Sequence, residues 1–403
     1  MNTFNMLNTT LKVRLVSNFF QQIITTAFLP FIALYLNEMI STQFSGIYLT
    51  ILVVINVPLG LFGGYIIDTF SKRSTLIIYQ LILTLALLLM SFSLIENLTN
   101  ILLFCLSYAV FSIIWGLQFP AMDAIIMDAI TKDVENIVYK FDYWLENTAT
   151  ALGMFLGGYL YYTNKSMVLF IAATIFFFVF LAFLKWIPRS QNNRNVKKKY
   201  VLKEFFINYT NVFKNFKYLL LVFSITLIIS VEMSMSSYVA LRLQKQFEEI
   251  VLFNFYIDGV KMFSIIMIVN TIVVVFFTHF ITKGYNFFKE KKYFLLGLFL
   301  YLIGYANITY LNSFSLLVFA MILAAIGEII FSPVIQEKKY KITPPELRGS
   351  YSAINNLGFN IAELIARLGI LLGTFISPLG MGVYTFILVL AGSIGLYFSI
   401  LKK

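Results

Sequence analysis

Long apolar stretches separated by short polar loops dominate the pattern along this chain. A stretch of roughly 20 such residues spans a bilayer as a helix, because only internally hydrogen-bonded backbone survives in lipid. Spans are predicted at 14–36, 45–67, 76–94, 101–126, 143–162, 167–187, 218–241, 252–280, 294–310, 316–337, 351–377 and 382–401. That pattern predicts an all-α integral membrane protein of about twelve helices.

An even number of spans puts both termini on one side, and the loop charges say which. Lys72, Arg73, Lys132, Lys140, Lys197, Lys198, Lys199, Lys289, Lys291, Lys292, Lys338, Lys339, Arg348, Lys402 and Lys403 fall on one face. The other face carries little besides Lys165, Arg242 and Lys245. The positive-inside bias therefore predicts a multi-pass protein of the cell membrane with both termini cytoplasmic.

Composition agrees: 60% hydrophobic and 12% charged residues suit a helical bundle in lipid and not one water-soluble domain. The net charge of +11 is then mostly a topology signal. Its basic residues are scattered over short loops instead of forming one stripe, so nucleic acid is not an expected partner. The single cysteine, Cys105, lies mid-span, which excludes an internal disulfide or a cysteine-based metal site. Residues 1–12 lack the order of a cleavable leader, so the first span is expected to be retained.

The largest break in composition runs over 189–217, a basic cytoplasmic linker. It divides the chain into six-helix bundles at 1–188 and 218–403. Phe205, Phe206, Ile207, Val212, Phe213 and Phe216 lie there among Lys203, Lys214 and Lys217. They fit a helix lying on the inner leaflet, or a solvated tether drawn to anionic lipid. Membrane lipids are expected partners either way.

Ionisable residues within apolar spans are costly and mark ion paths, cargo contacts or pairings. The first half offers Asp68, Asp123, Asp128, Asp142 and Glu146 toward cytoplasmic helix ends; the second offers Glu232, Asp258, Lys261, Glu328, Glu363 and Arg367.

Gly64-Tyr-Ile-Ile-Asp68-Thr-Phe-Ser-Lys72-Arg73 resembles the loop signature of the major facilitator superfamily: a glycine, an aspartate four on, then a basic pair before the third helix. Thr69 and Ser71 depart from it, standing where the family usually has arginine and glycine. Together with Asp128, the Asp142-Tyr143-Trp144 run, Gly327-Glu328-Ile329 followed by Pro333, and Gly349-Ser350-Tyr351, the chain is similar to multidrug proton antiporters of that superfamily. The resemblance implies two pseudo-symmetric six-helix bundles that export lipophilic, often cationic compounds in exchange for protons. It also implies that Asp68, Asp128, Asp142, Lys72 and Arg73 form a cytoplasmic protonation and gating network, and that Glu328 reaches cargo or proton. In the seventh span, Glu232 lies one turn before the position where that group carries an aspartate.

The residues themselves leave more than one role open. Asp128 and Asp142 can bind protons or serve as structural partners of the basic loop. Glu328 sits among Ile322, Leu323, Ile326, Ile329 and Ile330 with no basic residue within one turn, so it is expected to hold a proton or to face a water-filled cavity. Glu232 has serines around it that could solvate it. Glu363 and Arg367, four apart, neutralise each other on one helix face as a structural pair or tune cargo preference. Asn356 and Asn360, on the same helix, are candidate cavity lining with Trp115. No phosphate-binding glycine loop, no metal-ligand cluster and no nucleophile with its base appears, so neither cofactor nor enzymatic activity is expected. The expected function is a proton-coupled exporter acting as a monomer. A transporter of one metabolite or peptide and a non-transporting receptor or assembly partner are the alternatives.

Overall fold

A computed structural model describes residues 6–69, 71–95, 99–131, 134–188, 212–252, 254–283, 290–344 and 348–401. Most of the linker predicted at 189–217 lies outside them. Helices follow in the order α1 Thr9–Phe28, α2 Ile32–Met39, α3 Thr42–Thr69, α4 Lys72–Ser93, α5 Ile101–Ala129, α6 Glu135–Leu160 and α7 Lys165–Trp186. Then come α8 Phe216–Met233, α9 Tyr238–Gln246, α10 Gly259–Lys283, α11 Lys291–Ile308, α12 Phe314–Ile342, α13 Arg348–Leu372 and α14 Pro378–Leu396. Among the described residues nine helical segments are long and apolar enough to cross a membrane, α1 to α2 and α8 to α9 each counting as one. Helices α6, α11 and α13 occupy expected spans but are diluted by charged or polar residues such as Asp142, Glu146, Lys291, Asn356 and Glu363.

Helix starts follow from local side-chain chemistry. Asn8, Asn164, Asn215 and Ser377 precede helices in extended or near-extended backbone, and each accepts a hydrogen bond from the N–H three residues on. That satisfies a donor the first turn would leave unpaired.

Among the described residues two spans are broken. At Leu29–Phe31 a 3-10 turn separates α1 from α2, where Pro30 has no N–H to continue the ladder. At Ser234–Ser236 a second 3-10 turn separates α8 from α9 without any proline or glycine. One predicted span, 252–280, needs correction at its start. Ile250–Leu252 and Phe255–Ile257 form an antiparallel hairpin whose Asn254 has φ 65°, and the helix begins only at Gly259. The β-branched and aromatic run 250–257 suits a strand as well as a span, and Asn tolerates the left-handed turn.

The chain forms two compact units, Met1–Leu29 with Ile51–Arg194, and Pro30–Thr50 with Asn195–Lys403. The proline break is thus also the point where the chain leaves the first unit. In that unit Leu76, Ile125, Val179, Phe183 and Ile187 form one buried cluster. A bolt of amides crosses its interior: Gln80 Oε1 accepts from Gln21 Nε2 at 2.8 Å and Gln118 Nε2 at 2.7 Å, while Gln80 Nε2 donates to the Phe176 carbonyl at 3.0 Å.

In the second unit, Arg242 is 3% exposed and donates to the carbonyls of Ile308 at 3.1 Å and Leu311 at 2.7 Å. A guanidinium there satisfies the open carbonyls at the end of α11. Helices α11 and α12 approach closely through glycine: a Cβ on Gly327 would lie 2.6 Å from the Tyr301 nitrogen. The segment Pro30–Thr50 belongs to this unit, with the Phe31 ring edge-on to Phe263 at 5.4 Å and Asn37 Nδ2 donating to Gln244 Oε1 at 3.2 Å.

Candidate functional site

Each unit holds its own set of polar groups within apolar helices. In the first, Arg14 of α1 is ion-paired with Asp142 of α6, and Glu146, one turn along, lies within electrostatic range of both. Arg14 is the partner that the sequence did not reveal. Arg73 donates from Nε to the Ile187 carbonyl and from Nη2 to the Leu184 carbonyl, both at 2.7 Å, closing the end of α7. Its described role is therefore that of a helix cap. Lys72 opens α4 beside it. Asp68 and Asp128 fall within α3 and α5, and their side chains lie outside the described ones, as does that of Asp123. Trp115 stacks on Phe111 with ring planes 8° apart and leans on Phe176 at 6.1 Å, beside the carbonyl that Gln80 uses.

The second unit brings acids together that the sequence separates by almost a hundred positions. Glu232, in the last turn of α8, and Glu328, mid-way along α12, lie within electrostatic range of each other and of Tyr301 and Tyr305 on α11. Gly327 explains the approach: with no side chain there, α12 lies directly on the Tyr301 backbone and carries Glu328 alongside. Tyr301 and Tyr305 are one turn apart with centroids at 4.5 Å, and Tyr301 also meets Phe331 edge-on at 5.2 Å. Tyr301 donates to the Ile228 carbonyl of α8 at 3.1 Å, tying the helix that carries Glu232 to the helix between the two acids. Among the described residues neither Glu232 nor Glu328 has an ion-pair partner. Sequence reasoning missed both tyrosines; their four-residue spacing beside Gly297 and Gly304 was the available signal.

Helix α13 presents a polar stripe. Asn356, Asn360, Glu363 and Arg367 recur at helical spacing along one face, with Asn356 exposed and Asn360 partly so. Arg367 Nη2 meets Glu363 Oε1 at 3.3 Å, as the sequence pairing predicts. Its Nη1 donates elsewhere, to Ser237 Oγ at 3.1 Å and the Ser236 carbonyl at 3.3 Å in the break between α8 and α9. Among the described residues no group of three or more His, Cys, Asp or Glu side chains gathers as a metal site would.

Residues 14–366 match the Major Facilitator Superfamily. The chain belongs to this superfamily. A curated relative within reach is the Na(+), Li(+), K(+)/H(+) antiporter of Planococcus maritimus, 25% identical over 378 residues that cover 90% of this chain and 89% of the relative. Among solved structures, the peptide transporter POT in complex with sulfate aligns with a TM-score of 0.73 at 14% identity, covering 96% of this chain and 94% of the other. The nucleoside transporter NupG aligns at 0.70 and 15% identity, covering 97% and 99%. Likeness at that identity shows the major facilitator fold alone. Membership in the superfamily makes this chain a multi-pass membrane transporter and not an enzyme, as the sequence leads one to expect.

Proposed function

We propose that this superfamily member is a proton-coupled antiporter that exports cations, with Glu232 and Glu328 as the exchange site. One observation carries the reading: two carboxylates lie within electrostatic range of each other inside apolar helices, without a cationic side chain paired to either among the described residues. Two such anions need a counter-charge, and a proton and a cationic cargo are the two that an exchanger alternates. Tyr301, Tyr305 and Phe331 next to the acids supply aromatic surface suited to an organic cation. Amphipathic drugs or toxic compounds are the cargo class this favours. A second reading, exchange of an alkali cation for protons, is supported by the name of the Planococcus relative.

In this proposal Asp68, Asp128, Asp142, Lys72 and Arg73 form the cytoplasmic gate of an alternating-access cycle, and Trp115, Asn356 and Asn360 line the cargo path. The protein works as a monomer in the cell membrane with both termini cytoplasmic. Purified protein in proteoliposomes with an imposed pH gradient tests it, using tetraphenylphosphonium, Na+, Li+, K+ and a neutral lipophile as separate cargoes. Coupled flux of the organic cation supports the drug reading, and flux of the metal ions alone moves the assignment to alkali exchange. A gradient that drives neither rules out Glu232 and Glu328 as an exchange site.

A further inference from the structure

The break between α8 and α9 has no proline or glycine, and a residue of another helix, Arg367, donates into it. Serine hydroxyls take carbonyls that an unbroken helix would give to backbone N–H groups: Ser234 Oγ donates to the Val231 carbonyl at 2.7 Å, and Ser236 Oγ and Ser237 Oγ donate to Met233 at 3.3 and 3.4 Å. Such bonds weaken a helix but do not stop it. Ser237 sits at φ −125°, ψ −102°, outside helical backbone, and this is where Arg367 reaches in. Its guanidinium supplies donors to the Ser236 carbonyl and the Ser237 hydroxyl, while Glu363 holds the other end of the fork. The Arg367 side chain is only 12% exposed and that of Glu363 40%, so the arginine is packed against the break and the glutamate stands at its outer end.

We propose that Arg367 is a positioning residue for Glu232: by pinning the break at Ser236 and Ser237, it fixes where α8 ends and so holds the Glu232 carboxylate within range of Glu328. Glu232 is the next-to-last residue of α8, and its carbonyl receives the Ser234 N–H at the cap. If the break closes into continuous helix, each residue added rotates the direction of the chain by a fixed step, and the turn bearing Glu232 must shift against α11 and α12. The pair that the sequence presents as self-neutralising thus has a second task, which needs the planar fork of arginine and its several fixed donors. The inference rests on the reading of Glu232 and Glu328 as the exchange site.

The test has a transport arm and an arm that needs no transport. Arg367→Gln, Arg367→Lys and Ser237→Ala are compared with the unaltered protein in lipid nanodiscs by hydrogen–deuterium exchange of the peptide spanning 233–238, and in proteoliposomes by KM and turnover for tetraphenylphosphonium and Na+. Arg367→Gln is expected to speed amide exchange across 233–238 and to raise KM about tenfold with turnover nearly kept; the lysine and Ser237→Ala changes move both in the same direction by less. Unchanged KM and unchanged exchange at 233–238 in a well-folded Arg367→Gln protein overturn the proposal. So does a loss of thermal stability with both readouts unmoved. Should Arg367→Gln not accumulate, Ser237→Ala decides by the same criteria. Failure of the underlying site assignment looks different: Glu232→Gln then keeps coupled cation flux, whatever the peptide 233–238 shows.

Discussion

Arg14 of α1 is ion-paired with Asp142 of α6 across 128 positions of sequence, inside the first compact unit. Their side chains are 12% and 25% exposed, so the pair is shielded but not dry. Removing either partner strands a charge among apolar helices. Arg14→Gln or Asp142→Asn is expected to lower stability by about 1–3 kcal/mol, and Arg14→Gln with Asp142→Asn together by less than the sum. Thermal unfolding of the purified variants in one detergent measures this. Additive losses would show that the two residues act separately.

Neutralising the acids of the second unit should separate cargo classes. Glu328→Gln is expected to reduce export of a lipophilic cation at least tenfold in kcat/KM while reducing that of a neutral molecule of similar size much less. Protons and cations compete for the same carboxylates in this scheme, so acidifying the loading side should raise the apparent KM for the cation. Equal loss of both cargoes at matched protein level would assign Glu328 to proton coupling alone.

Substituting Gly327 checks the packing that brings Glu328 to the tyrosines. A methyl group there would meet the Tyr301 nitrogen at 2.6 Å, and backbone cannot rotate away as a side chain can. Gly327→Ala is expected to cost about 1–3 kcal/mol and to impair coupled flux. A variant of unchanged melting temperature and flux would show that α11 and α12 part readily.

The amide bolt gives a prediction independent of any cargo. Gln80→Leu leaves two buried amide N–H donors, from Gln21 and Gln118, without their acceptor. The expected loss is about 1–2 kcal/mol, read by thermal unfolding. Gln80→Glu keeps an acceptor for both donors and should lose less if it stays ionised, at the cost of a buried charge.

At the proposed cytoplasmic gate, Asp68→Asn and Asp128→Asn are expected to abolish coupled flux while leaving membrane insertion intact. Flux assays at matched protein level, with fluorescence size-exclusion profiles as the folding control, decide it; normal export by both variants would remove these acids from the cycle.

The sequence shows long spans and embedded acids because lipid imposes one constraint on every span and makes each charge within it conspicuous. Glu328 stands out among isoleucines for that reason, and the stretch from Gly64 to Arg73 resembles the superfamily's loop signature because its residues are neighbours in sequence. The hairpin at 250–257 is not legible, since Val, Ile, Tyr and Phe are as apolar in a strand as in a span. Nor is the pairing of Arg14 with Asp142, which depends on how α1 packs against α6. The break at Ser234–Ser236 is hidden for a similar reason: part of what holds it open is supplied by Arg367, far along the chain.

Among the described residues, the first and the seventh spans, counted along the chain, are broken, and by unlike means. Pro30 interrupts its span through a covalent ring that no step of a working cycle can undo. The interruption before Tyr238 is held by hydrogen bonds from a neighbouring guanidinium, which can be surrendered and remade. For spans at corresponding places along the chain, this divergence sets a corner fixed by covalent structure against one held by side-chain hydrogen bonds. Engineering that seeks to freeze the transporter in a single state therefore has a natural target in the later span, where one proline introduced at the break would make it as irreversible as its counterpart.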